Sequence, residues 1–154
     1  MAKAYDPAVH TAEHVLNRTM IRLFDCGRCY TSHINPGKGR CDFHFPRDLT
    51  GPEADAVEAA VNGILARDLP VAERELPRRE AEKLADLSKL PASVGPDDPI
   101  RIVTVGDYDV CACIGAHAAS TGEVGAFHLV THDFLPDAAK GPTLRLRFRL
   151  EPRP

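Results

Sequence analysis

Two histidine and cysteine pairs constrain this chain more than any other feature. His10 and His14 stand in Val9-His10-Thr11-Ala12-Glu13-His14, and Cys113 and His117 in Cys113-Ile114-Gly115-Ala116-His117. On a helix, residues i and i+4 share a face, so His10 and His14 point the same way. Cys113 and His117 suit a strand end and the loop after it, with Gly115 letting the backbone turn. Thiolate and imidazole are borderline-soft donors that suit Zn²⁺. The halves make one site only if the fold joins them. Taken alone, the first pair reads better as two half-buried histidines packed against a core; its weight as a ligand pair comes only from the second pair.

The surrounding pattern supports a helix there. Asp6-Pro7 offers an N-cap acid followed by proline at the first helical position. Val9, Ala12, Leu16, Met20 and Leu23 then recur at helical spacing to about Phe24. Asp25-Cys26-Gly27-Arg28-Cys29 follows as a C-x-x-C in a turn; no second such pair partners it, so it reads as structural thiols. Tyr30 to Asn35 and Arg40 to Phe45 form a hairpin across Pro36-Gly37-Lys38-Gly39. Cys41, Phe43 and Phe45 alternate with Asp42 and His44, which gives one apolar and one polar face. The glycine turn lacks the spacing and following helix of a phosphate loop.

Thr50-Gly51-Pro52-Glu53 is a capping-box pattern that opens a helix to about Arg67, with Ala56, Val57, Ala60, Ile64 and Leu65 inward. Residues 71–76 read as extended, 78–87 as a short charged helix, and 91–99 as a loop. Residues 100–105 pair with 108–113, 126–130 form another strand, and 144–150 the last. In that strand Leu144, Leu146, Phe148 and Leu150 alternate with Arg145, Arg147 and Arg149. The arginine row is a solvated face or a phosphate-contacting one. These elements predict an α+β domain with a mostly antiparallel sheet, packed helices, and strands concentrated after Ile100.

At 154 residues, 44% hydrophobic and 27% charged, the chain has the size and composition of a single domain spanning 1–154. A net charge of −3 supplies no global basic field, so any RNA contact must come from a local patch. No apolar run approaches the ~20 residues of a membrane span, and no signal-peptide core opens the sequence, which predicts a cytoplasmic protein. Five cysteines, an odd number at low density, point to metal ligands or buried thiols rather than a disulfide framework.

From about His10 to Leu150 the chain resembles the editing domain of alanyl-tRNA synthetase and its free-standing AlaX-type relatives. The editing module of threonyl-tRNA synthetase is similar in its metal pattern. The resemblance rests on the two metal pairs, on Asp42-Phe43 after the hairpin turn, on Asn62 to Val71, and on Thr121-Gly122-Glu123-Val124-Gly125. Where that family usually has Cys-Gly-Gly-Thr-His, this chain has Cys113-Ile114-Gly115-Ala116-His117, so the donors persist while a glycine and a hydroxyl are replaced.

The resemblance implies a single Zn²⁺ held by His10, His14, Cys113 and His117. It further implies hydrolysis, in trans, of the ester joining a wrong amino acid to tRNA, with seryl- or glycyl-tRNA(Ala) as substrate. Thr31, Ser32 and His33 correspond to the segment lining the amino-acid pocket and are the catalytic candidates, with Asp42 and His44 weaker candidates for a general base. Lys140, Arg145, Arg147 and Arg149 become contacts for acceptor-stem phosphates. A different reading stays open: a non-catalytic, zinc-stabilised RNA- or protein-binding module on the same fold.

Overall fold

The computed structural model describes residues 6–88 and 90–152. In chain order the elements are α1 (Pro7–Phe24), β1 (Thr31–Asn35), β2 (Lys38–His44), α2 (Gly51–Leu65), β3 (Val71–Pro77), α3 (Arg78–Ala81), β4 (Pro99–Val105), β5 (Asp109–Ala112), a 3₁₀ turn at Thr121–Glu123, β6 (Ala126–Leu135) and β7 (Thr143–Glu151). They form an α+β fold with two antiparallel sheets, ordered β1-β2-β7-β6 and β3-β4-β5. None of the described helices is long and apolar enough to cross a membrane.

Helix α1 starts where the sequence says it should. The Asp6 carboxylate accepts from the Ala8 and Val9 amides, satisfying donors that lack intrahelical partners. Its other oxygen accepts from Gly37 N at 2.9 Å, tying the β1–β2 turn to the helix start. Asp25, left-handed at φ 54°, ends the helix. Val9, Ala12, Val15, Leu16 and Met20 are fully buried, whereas Leu23, on the same stripe, is 45% exposed because α1 runs past the core.

The main core lies between the inner face of the four-stranded sheet and the two long helices. Phe43, Phe127, Leu144, Leu146 and Phe148 meet the α1 residues and Val57, Val61 and Leu65 of α2. A smaller cluster of Ala81, Leu87, Ile100 and Ile102 sits on the β3-β4-β5 sheet.

Three expectations need correction. The inward face of α2 is Val57, Val61 and Leu65; Ala56 is exposed, since the helix turns its i, i+4, i+8 row toward α1 and β6. The charged helix stops at Ala81 instead of running to Leu87. Ala81 and Leu87 both bury against Ile100 and Ile102, and six residues along an α-helix would set them about 240° apart. Unwinding after Ala81 lets both reach one patch. β6 continues past Val130 to Leu135, around a register shift between Leu129 and Thr131, because β7 is long enough to pair with all of it. As expected, the strands are denser after Ile100, where β4 to β7 lie, with β1, β2 and β3 spread over the longer stretch before it.

Candidate metal centre and cleft

Helix α1 and the loop after β5 bring the two pairs together. The donor atoms of His10, His14, Cys113 and His117 all lie within 4.8 Å of one another. Cys113 Sγ stands 3.2 Å from His10 Nε2 and 3.9 Å from His117 Nε2. Metal–ligand bonds of about 2.0–2.3 Å in a tetrahedron place donors roughly 3.3–3.8 Å apart, so the residues fit a single zinc ion.

The other ring nitrogens are held by the protein. His10 Nδ1 donates to Ala116 O at 3.1 Å. Thr11 Oγ1 donates to Pro7 O and accepts from Ala118 N, so its remaining lone pair accepts from His117 Nδ1 at 3.0 Å. Both rings are thereby fixed as Nδ1–H tautomers with Nε2 aimed at the centre. His14 Nδ1 faces Asp109 Oδ2 at 3.4 Å, short of a hydrogen bond.

The strand end carrying Cys113 is clamped too: Cys113 N donates to Arg101 O, and Arg101 Nη1 donates to Cys113 O at 2.9 Å. The Thr121-Gly122-Glu123-Val124-Gly125 run pins the loop after His117. Thr121 Oγ1 accepts from Leu69 N and donates to Leu65 O, and Gly122 N donates to Asp68 Oδ1. Gly125 sits at φ +91°, and a Cβ there would press on the Glu151 carbonyl, so glycine is required.

Electrostatics suit neutral imidazoles. Burial, with His14 and His10 close by, holds the His117 pKa down to about 3, and burial with His14 lowers that of His10. Burial, with Cys111 and Glu13 beside it, pushes the Cys113 thiol up to about 12, so a cation is needed to hold the thiolate. A consequence follows for the metal-free protein. Rings whose folded pKa is depressed contribute stability that is complete above their unfolded value of about 6.5 and erodes as pH falls below it. Thermal midpoints of chelator-treated protein are expected to fall between pH 7 and 5; a flat profile over that range would contradict the assignment of His10 and His117 as buried neutral rings.

The centre borders a cleft of about 980 Å³, lined among others by Glu13, Arg28, Ser32, Tyr30 and Cys111. Paired residues in antiparallel strands share a face. Ser32 pairs with Cys41 and faces the cleft, whereas Thr31 pairs with Asp42 and His33 with Arg40, on the outer face of the sheet. Asp42 is buried and accepts two hydrogen bonds from Arg145, at 2.9 and 3.0 Å. His44 is exposed and stacks on Tyr30, 4.3 Å between centroids.

Arg145, Arg147 and Arg149 lie along the outer face, each with an acid: Asp42, Asp133 and Glu151. Lys140 Nζ lies 5.4 Å over the Tyr30 ring. Sequence reasoning missed Thr11 and Asp109. Thr11 lies between two ligands on α1, a position from which a hydroxyl can reach the site. Asp109 had no signal beyond opening the strand that leads to Cys113.

The family described as "Threonyl and Alanyl tRNA synthetase second additional domain" matches residues 100–145, which include Cys113, His117 and the Thr121–Gly125 run. The chain is 31% identical over 140 residues, 90% of its length, to the alanine–tRNA ligase of Methanopyrus kandleri. It is 33% identical over 121 residues to that of Leptospira borgpetersenii and 31% over 121 residues to that of Treponema denticola, in each case 78% of this chain. It spans only 15%, 13% and 20% of those three ligases. The similarity therefore concerns one segment of each ligase. On these matches, and with the donors converged as described, the chain belongs to the alanyl-tRNA synthetase editing-domain family.

Proposed function

We propose that the chain is a free-standing, zinc-dependent aminoacyl-tRNA deacylase, a single editing-type domain acting in trans in the cytoplasm on mischarged seryl- or glycyl-tRNA(Ala). The observation that carries this reading is the convergence of His10, His14, Cys113 and His117 beside a cleft lined by Ser32. When bound, zinc would supply Lewis acidity toward an ester carbonyl.

The chain's own residues do the rest. Thr11 and Ala116 O keep two ligand rings in the tautomer that presents Nε2. The Ser32 hydroxyl, on the cleft side of β1, is suited to hydrogen-bond a substrate hydroxyl, and a site built for such a bond rejects an analogue lacking it by large factors. Asp42 is committed to Arg145 and is poorly suited to act as a base. Arg147 and Arg149, exposed on the outer face, would engage tRNA phosphates in competition with their acid partners.

One observation favours the second reading, a zinc-stabilised binding module without turnover. Four strong protein donors close a tetrahedral site, as structural zinc sites do. Ile114, 87% exposed between the ligands of the loop, would then serve as an apolar contact for a partner. A panel of purified mischarged tRNAs, assayed with and without chelator, separates the two. Hydrolysis of seryl- or glycyl-tRNA(Ala) that chelator abolishes is the expected result. Tight tRNA binding with no turnover on any member of the panel would replace the deacylase reading with the module.

A further inference from the structure

A second group of donors adjoins the first and belongs to none of its roles. Glu13 lies one residue before His14 on α1, Cys29 follows the helix, and Cys41 stands mid-strand in β2. Their donor atoms all lie within 4.8 Å of one another. Glu13 Oε1 is 3.5 Å from Cys29 Sγ, and Cys41 Sγ lies within 4.8 Å of both. Tetrahedral zinc with bonds of about 2.0–2.3 Å sets oxygen and sulfur donors roughly 3.5–3.8 Å apart, which this spacing matches.

Burial makes the arrangement unusual. Glu13 is 9% exposed, Cys29 7% and Cys41 0%. A buried carboxylate ordinarily needs a cation. Among the described residues no lysine or arginine forms an ion pair with Glu13; its contacts are the Asn17 amide at 3.0 Å, the Cys29 thiol, and the His10 ring at 3.8 Å. Asn17 holds two of the donors at once. Its Nδ2 donates to Glu13 Oε1 while its Oδ1 accepts from Cys29 N at 2.6 Å, the kind of outer clamp that orients metal ligands. Glu13 and Cys29 also line the cleft, which supplies a route of entry.

We propose that Glu13, Cys29 and Cys41 form a second zinc site, adjoining the His10/His14/Cys113/His117 centre through Glu13. Two thiolates and one carboxylate select zinc over magnesium or calcium, and three protein donors leave a fourth position toward the cleft. Glu13 Oε2 faces His10 and Oε1 faces Cys29, so one carboxylate touches both centres. The site stands independently of whether the first centre catalyses anything.

The test is stoichiometry and sulfur count on the full chain. Reduced, chelator-stripped protein is reloaded with zinc alone, desalted, and measured by elemental analysis and zinc-edge X-ray absorption. About two zinc ions per chain are expected, with about 1.5 sulfurs per zinc on average, one in the first centre and two in the second. Cys29→Ser and Cys41→Ser should each leave about one zinc with about one sulfur, and His14→Ala about one zinc with about two. Wild-type protein holding one zinc with one sulfur would overturn the second site. So would two zinc ions that survive both cysteine substitutions, or a Cys29–Cys41 disulfide whose reduction leaves zinc content unchanged. One zinc with two sulfurs would support this site and overturn the first. Because Cys41 is in the core, the sulfur count on wild-type protein decides the matter even if Cys41→Ser fails to fold.

Discussion

Asp109→Ala is expected to destabilise the chain by about 3–5 kcal/mol, among the largest effects of any single substitution, because it strips a buried ion network of the acid its arginines share. Asp109 is 4% exposed and accepts from Arg18 Nε at 2.9 Å and from Arg28 Nη1 and Nη2 at 2.7 and 3.2 Å. It joins β5 to α1 and to the segment that follows α1. The two arginine side chains are 26% and 23% exposed, so they regain some water when the acid is lost, which favours the lower end of that range. Urea unfolding measures the loss, and a change under about 1 kcal/mol would show that the network contributes little.

The same residue sets an acid limit. Burial pushes the Asp109 carboxyl up, but His14 and Arg28 pull it further down, so its pKa lies well below the ordinary carboxylate range. A depressed carboxylate contributes stability that is full above its unfolded pKa of about 3.9 and is lost as pH falls below that. The wild type should therefore lose stability below about pH 4 more steeply than Asp109→Ala. This window is distinct from the one near pH 6.5 set by the histidines. Asp109→Asn keeps the shape but not the charge. It should also loosen zinc by roughly 10–100-fold, since Asp109 faces the outer nitrogen of His14.

Legibility in the sequence depends on whether a feature is local. The i, i+4 geometry of His10 and His14 and the strict alternation of β7 are local, and both stand in the structure as the sequence implies. Convergence of the two metal pairs is not local: nothing in the spacing of either says they meet, and that expectation rests on the family resemblance. Asp42 reads as an outward polar residue, and its place on the outer face agrees. Its burial comes from Arg145, directly opposite in the β2–β7 register, and register between distant strands is not written in either strand alone. Glu13 carries no signal of its own in the sequence, because its neighbours Cys29 and Cys41 come from two other segments. The charged stretch after Pro77 has helix-forming residues, but Leu87 gains more by packing on Ile100 and Ile102 than by continuing a helix.

Cys113→Ser and His14→Ala are expected to abolish hydrolysis of mischarged tRNA while leaving tRNA affinity almost unchanged. Each removes a donor from the centre rather than a group that supports one. Loss of a supporting partner already costs roughly 10–100-fold in metal affinity or activity, so loss of a donor should exceed that. The arginines that would meet phosphate lie elsewhere on the fold and should keep their role. Arg147→Ala with Arg149→Ala, both exposed on the outer face, is the converse: binding should weaken across all tRNAs, and its dependence on salt should flatten by about 0.7–0.9 in logarithmic slope for each phosphate no longer neutralised.

Folding has to be followed alongside, because a zinc ion joining α1 to the loop after β5 would also contribute to folding. Circular dichroism separates a folded, inactive variant from an unfolded one. Thr11→Val supplies a gentler probe, removing the hydroxyl that accepts from His117 Nδ1 while keeping all four donors. Under the catalytic reading, its activity should fall in step with its zinc occupancy and recover when zinc is added in excess. A folded, zinc-free Cys113→Ser protein that hydrolyses mischarged tRNA at the wild-type rate would refute zinc dependence outright.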